Sequence, residues 1–210
     1  CINSNMTVNF KYHWENVYQS KNENEVSWYQ EVPSKSLDLI NSLNLRKDSK
    51  IIDVGAGESR LVDNLLSLGF KNVTVLDISS KSIEKTKQRL GKKSKLVNWV
   101  VSDIVNFIPE KSFDLWHDRA AFHFLTDKMR IKKYVDLVNN SVNSQGNLIV
   151  STFSTNGPLK CSGLQISQYN KNSISELFKE EFKLSYSETS VHQTPFNTNQ
   201  EFIFNIFSKY

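Results

Sequence analysis

Cysteine is nearly missing from this chain. Cys1 and Cys161 are the only two in 210 residues, too few for a disulfide framework, so a reduced, cytoplasmic protein is expected. No apolar run approaches the roughly 18 residues that a membrane span needs, and no membrane partner is expected. Charge of one sign is barely in excess: the net charge is +4, and its densest cluster, Lys92, Lys93 and Lys95, sits near a turn. So small a cluster reads as a solvated loop, which removes nucleic acid from the expected partners. Internal repeats and low-complexity segments are absent, and 210 residues suffice for one full core. Met6 follows closely on Cys1, which leaves open whether residues 1–5 are native.

What is present is organised around Ile51-Ile52-Asp53-Val54-Gly55-Ala56-Gly57-Glu58-Ser59-Arg60-Leu61. The apolar start suits a strand covered on both faces, and the two glycines let the backbone turn sharply and come close to a ligand. Leu61, Leu65 and Leu68 then switch to helical spacing. The free N–H groups at such a helix start favour a nucleotide-like guest.

Before this stretch, Phe10, Tyr12, Trp14, Val17 and Tyr18 predict an aromatic amphipathic helix over 10–20. Trp28-Tyr29-Gln30, ahead of a helix start at Pro33-Ser34, suits a lid over a ligand; docking of the first helix is the alternative. Residues 1–34 are therefore read as an N-terminal helix and lid segment, and 35–210 as the main domain. After it, strands are predicted at Val73 to Ile78, Leu96 to Val101, from Phe113, and at Gly146 to Phe153, with helices between. This alternation implies a doubly wound α/β sheet, mostly parallel, with ligands at the carboxyl ends of its strands. The tail departs from it. Phe182 to Thr189 and Glu201 to Phe207 are two strands with only a loop between them, so they form an antiparallel hairpin and bring the sheet to seven strands.

The guest is narrowed by what the turn lacks. A dinucleotide site wants a third glycine where Arg60 stands, and no lysine follows the glycines as in a phosphate loop. Glu58 would repel a pyrophosphate but tolerate a cation. Asp77, twenty residues past Gly57, ends the second strand where a carboxylate can grip ribose hydroxyls. An adenosine bearing a positive sulfonium suits these residues better than a ligand with two phosphates.

Ile52-Asp53-Val54-Gly55-Ala56-Gly57, Asp77, the Ser102-Asp103-Ile104 strand end and the terminal hairpin together resemble the class I S-adenosylmethionine-dependent methyltransferases, over roughly residues 35–210. The resemblance implies their Rossmann-like fold and S-adenosylmethionine as cofactor. It implies that Gly55 and Gly57 approach the methionine and ribose portions, that Asp53 supports the turn and the amino group, and that Asp77 holds the ribose. Asp103 and Ile104 flank the adenine, and Trp28, Tyr29, Ala56, Arg60, Ile78, Ser102 and Asp118 complete the expected contacts. Helix caps or surface acids are the alternative for the three acids. Trp116-His117-Asp118-Arg119-Ala120-Ala121 is similar to the Trp-Asp-Arg-Gly-Ala segment of the thiopurine and thiol/halide group, with His117 inserted and Ala120 where glycine is usual. The small lysine methyltransferases, with Asp-Lys-Gly-Thr there, are the second likeness. The Asn/Asp-Pro-Pro-Tyr motif of base amino-methyltransferases is missing.

On the acceptor side, His117, His123 and His192 fall on segments at the carboxyl edge, the last in the loop between the final strands. They are candidate bases or orienting groups, with Asp118 and Arg119, and each has a structural alternative. Arg119 either attracts an anionic acceptor or pairs with Asp118. Phe122, Phe124, Phe153 and Phe196 are expected as apolar wall or core. His117, His123, His192 and Cys161 offer no close pair at zinc spacing, so no metal is expected. The expectation is methyl transfer by a monomer or homodimer to a small soft nucleophile, first of all a thiol or related chalcogen compound; lysine methylation and a non-catalytic cofactor-binding domain are the alternatives.

Overall fold

The computed structural model describes residues 9–210. Cys1, Met6 and the beginning of the 1–34 segment lie outside the described residues. The central sheet has seven strands: β1 (Lys50–Val54), β2 (Asn72–Asp77), β3 (Val97–Val101), β4 (Phe113–Arg119), β5 (Val142–Phe153), β8 (Phe182–Gln193) and β9 (Asn199–Lys209). Their order is β3-β2-β1-β4-β5-β9-β8, with β1 to β5 parallel and β9 antiparallel to both β5 and β8. This is the mostly parallel sheet with a terminal hairpin expected from the sequence. Between the halves, β6 (Lys160–Cys161) and β7 (Leu164–Gln165) make a small hairpin that periodicity does not announce, because two-residue strands carry no pattern.

The inner parallel strands β1, β2, β4 and the second half of β5 are buried on both faces, while β3, at the edge of the sheet, is half-buried or exposed beyond Val97. Ile51, Leu115 and Ile149 join the core layer that also holds α2 (Ser34–Ser42) and α3 (Leu61–Ser67). Ile52, Trp116 and Leu148 point the other way, toward α5 (Lys128–Ser141) and α6 (Lys171–Phe178). Burying both faces is what makes these strands near-continuous apolar runs. Lys92, Lys93 and Lys95 are exposed in the turn after α4 (Ser80–Leu90).

The terminal hairpin runs longer than its apolar alternation. Val191 pairs with Glu201 and Gln193 with Asn199, and the Thr194 N–H donates to the Thr198 carbonyl at 2.8 Å, so only a tight turn remains. His192 therefore sits on a strand and not in a loop. β5 likewise begins at Val142, four residues early, with a register shift opposite Phe113 and Leu115.

α1 (Phe10–Ser20) lies over the carboxyl edge of the sheet. Asn9 caps it, and Phe10, Trp14 and Tyr18 share one face at i, i+4 and i+8. Glu15, on another face, reaches the amino end of α4: its carboxylate accepts from Ser80 N–H and Ser79 Oγ at 2.8 Å each and from Lys81 N–H at 3.1 Å. Burial works to raise the Glu15 pKa, but these bonds outweigh it and hold the group below its ordinary value. A carboxylate answering free N–H groups at a helix start is favourable, so Glu15 latches α1 to α4. Glu15→Ala is expected to speed amide exchange across residues 10–20 by roughly tenfold, the size of a lost helix cap. Unchanged exchange rates would show that the aromatic face alone holds the helix.

Candidate functional site

Two adjoining cavities open at the carboxyl ends of β1, β2 and β4. The larger holds about 850 Å³ of empty space, part of it open to solvent, with Asp77, Ile78, Ser102, Asp103 and Ile104 along one side. Phe10, Trp14 and Tyr18 roof it, and Phe153, Cys161, Gln200 and Phe202 close its far end. The smaller, about 560 Å³, lies between Asp53, Ala56 and Glu58 and the segment Trp28-Tyr29-Gln30, with Ser36 and His117 behind. Trp28, Gly55 and Arg119 line both.

The turn between β1 and α3 shapes both cavities. Gly55 (φ +61°) and Gly57 (φ +55°) are left-handed; a Cβ on Gly55 would run into Ala121, and one on Gly57 into the Tyr18 hydroxyl. Asp77 ties this turn down: Oδ2 accepts from Gly57 N–H and Oδ1 from Ser79 N–H, both at 2.8 Å. Burial pushes its carboxyl up to about 6, and the two N–H bonds offset only part of that. Asp103 caps the turn Ile104–Asn106 and also pairs with Arg130, whose guanidinium stacks on Phe10 at 5.2 Å. For this acid the capping role and a place on the cavity wall coexist.

Asp53 and His117 are neighbours across β1 and β4. His117 Nδ1 meets Asp53 Oδ1 at 2.7 Å, and its Nε2 meets Ser36 Oγ at 3.0 Å. Asp53 Oδ2 is buried without a partner. His117 thus orients Asp53 beside the smaller cavity and does not reach the far end of the larger one.

Several expectations are corrected here. Asp118 touches neither cavity: Oδ1 accepts from Ala121 and Phe122 N–H at 3.0 Å each, and Oδ2 from the Tyr134 hydroxyl at 2.6 Å. Burial pushes its carboxyl up to about 6 in spite of these bonds, so it is a structural acid of the β4 turn. Arg119 consequently has no pair with Asp118. His123 is wholly buried, accepts from Phe153 N–H at 3.2 Å and lines neither cavity; burial, then the Arg119 charge, lowers its pKa to about 3. His192 points to the Ser27 carbonyl at 2.8 Å, outside both cavities, and burial lowers its pKa. Arg60 lines neither cavity and is paired with Glu23, which borders the smaller one. Gly57 shapes the turn without lining either space, and Phe196 is exposed while Phe122 is core. Tyr18, Arg130, Leu125 and Gln200 line the larger cavity without having been singled out for it. The 10/14/18 spacing could have revealed the roof; nothing local marks Arg130 or Gln200.

Residues 45–201 match a family described as a methyltransferase domain. The chain belongs to that family. Over 88 residues it is 35% identical to malonyl-[acyl-carrier protein] O-methyltransferase 1 of Ilyobacter polytropus, 41% of this chain and 32% of the relative. The first curated relatives are spanned over only 32 to 59% of their own length. In fold, the methyltransferase domain is similar to N-methyltransferase NodS from Bradyrhizobium japonicum WM9 in complex with S-adenosyl-L-homocysteine, with a TM-score of 0.72 over 94% of this chain and 98% of that one at 15% identity. It is similar too to a structure from work on converting a disulfide bond into a thioacetal group during echinomycin biosynthesis, with a TM-score of 0.77 over 95% and 93% at 14% identity.

S-adenosylmethionine fits the side chains of this domain. The partnerless Asp53 Oδ2 suits an ammonium group, and Gly55 brings bare backbone to the wall of both cavities. Asp77 offers a carboxylate to ribose hydroxyls, and Ile78 and Ile104 offer apolar surface to a purine. Among the described residues no group of three His, Cys, Asp or Glu gathers as a metal site, and no helix is long and apolar enough to cross a membrane.

Proposed function

We propose that this domain transfers the methyl group of S-adenosylmethionine to a small thiol. When bound, the cofactor supplies a methyl group on a positively charged sulfur, open to in-line attack. The observation that carries the acceptor class is the far end of the larger cavity, where no histidine or carboxylate stands among Phe153, Cys161, Gln200 and Phe202. Cys161 is no base there, because burial pushes its thiol up to about 12. An ammonium or alcohol acceptor would need a base to take its proton, whereas a thiol with a pKa of about 8.5 is partly ionised unaided; a carboxylate, the other acceptor that needs no base, is the rival that the assay below separates. The aromatic roof of Phe10, Trp14 and Tyr18 keeps water out and presents the acceptor to the donor, and such positioning contributes roughly 7–11 kcal/mol in intramolecular analogues. The Trp116 to Ala121 segment, similar to that of the thiol group, supports the same reading.

Incubation with labelled S-adenosylmethionine and a panel of small thiols, carboxylates and amines tests this. Turnover on thiols is expected. Turnover on carboxylates or amines with none on thiols would sink the acceptor class; label passing to a protein in lysate would favour lysine methylation, and cofactor binding without any transfer a non-catalytic domain.

A further inference from the structure

Arg46, Arg60, Arg89 and Arg130 each hold a carboxylate: Asp48, Glu23, Asp63 and Asp103. Arg119, the arginine at the junction of the two cavities, holds none among the described residues. Its Nη1 donates to the Trp28 carbonyl at 3.2 Å, and its guanidinium lies 5.1 Å over the Phe202 ring. Nε and Nη2 are both buried with no partner. These two nitrogens share the edge of the guanidinium that receives a carboxylate side-on, through two parallel N–H bonds.

We propose that Arg119 is the carboxylate anchor of this site, receiving a ligand carboxylate side-on through Nε and Nη2. This rests on the methyltransferase reading above. The methionine tail of the cofactor and an acid-bearing acceptor are the two sources of that group. The surroundings favour an anion. Asp53 is the acid whose charge reaches Arg119, and its Oδ1 is already taken by His117. His123 and His192, whose pKa values are lowered, face it uncharged, and Cys161 stays protonated. Burial brings Arg119 itself down to about 10, the mark of a cation short of a counter-charge. Two guanidinium N–H groups left buried and unanswered are costly, and a carboxylate on that edge offsets the cost.

The test compares the wild type with Arg119→Gln and Arg119→Lys by calorimetry, on S-adenosylhomocysteine and on methylthioadenosine, which keeps the nucleoside and sulfur but lacks the amino-acid tail. Each protein saturated with S-adenosylhomocysteine is then titrated with mercaptoacetate and with mercaptoethanol. Wild-type binding of S-adenosylhomocysteine is read first, and its absence refutes the underlying cofactor reading itself. With binding present, a loss of roughly 10- to 100-fold in Arg119→Gln confined to the acid-bearing member of a pair supports the anchor. Loss on S-adenosylhomocysteine but not methylthioadenosine assigns it to the cofactor, and loss on mercaptoacetate but not mercaptoethanol to the acceptor. Arg119→Lys, which keeps the charge but not the fork, is expected to recover only part. Equal changes within each pair, or none, overturn the proposal, and because each comparison is made within one variant a general loss of folding cannot imitate the expected result.

Discussion

Asp77→Ala will weaken S-adenosylhomocysteine binding by roughly 100-fold, about the value of two hydrogen bonds to a charged acceptor. The carboxylate has two tasks. It holds the Gly57 and Ser79 N–H groups at 2.8 Å each, and it presents its remaining lone pairs to the larger cavity. Alanine gives up both, leaving two N–H groups unanswered beside the ligand. The same group sets a pH dependence. Burial pushes Asp77 up to about 6, so it is ionised at neutral pH and takes a proton as the pH falls through that value. Only the ionised form accepts fully from ribose hydroxyls. Wild-type affinity is therefore flat above about pH 7 and falls below pH 6, approaching tenfold per unit. Calorimetry between pH 5 and 8 checks both statements. An Asp77→Ala protein with unchanged affinity, or one that keeps the wild-type pH profile, would place the ligand elsewhere.

Asp118→Ala will lower the stability of the fold by about 4 kcal/mol, since a buried donor left without its acceptor costs roughly 1–3 kcal/mol and three are affected. These are the N–H groups of Ala121 and Phe122 and the hydroxyl of Tyr134. Tyr134 is also the partner of the Trp116 indole N–H at 3.1 Å, so the disturbance reaches the middle of β4. For a domain of this size the melting temperature should drop by roughly 10 °C. Thermal denaturation followed by circular dichroism measures it. A drop of less than about 2 °C would mean that water or a rotated Tyr134 satisfies these donors. The prediction also separates structure from chemistry at this position, because a residue that only contacted ligand would leave the melting temperature of the free protein unchanged.

The legible parts of the chain share a physical property: they depend on near neighbours. Buried strands 51–54 and 73–76 announce themselves as apolar runs, α4 by Ser79 at its start and Gly91 after its end, and the cavity wall by acids that close successive strands. The antiparallel tail followed from the lack of room for a crossover between its strands. Less legible were the ends of elements that extend through pairing with a partner strand, as at Ser190 to Gln193.

By itself the sequence determined the layered sheet, the glycine turn and the placing of Asp53, Asp77 and Asp103 at strand ends, because period, turn chemistry and chain direction settle these locally. Only the tertiary structure decided what each polar side chain near the site does. His117 finds Ser36 from 81 positions away, Arg119 finds Trp28 from 91, and His192 finds Ser27 from 165. Asp118 turns inward to its own loop while Arg119, the next residue, is left facing both cavities. Successive residues of a strand point to opposite faces, and what waits on each face is set by distant packing, which no spacing within the chain encodes.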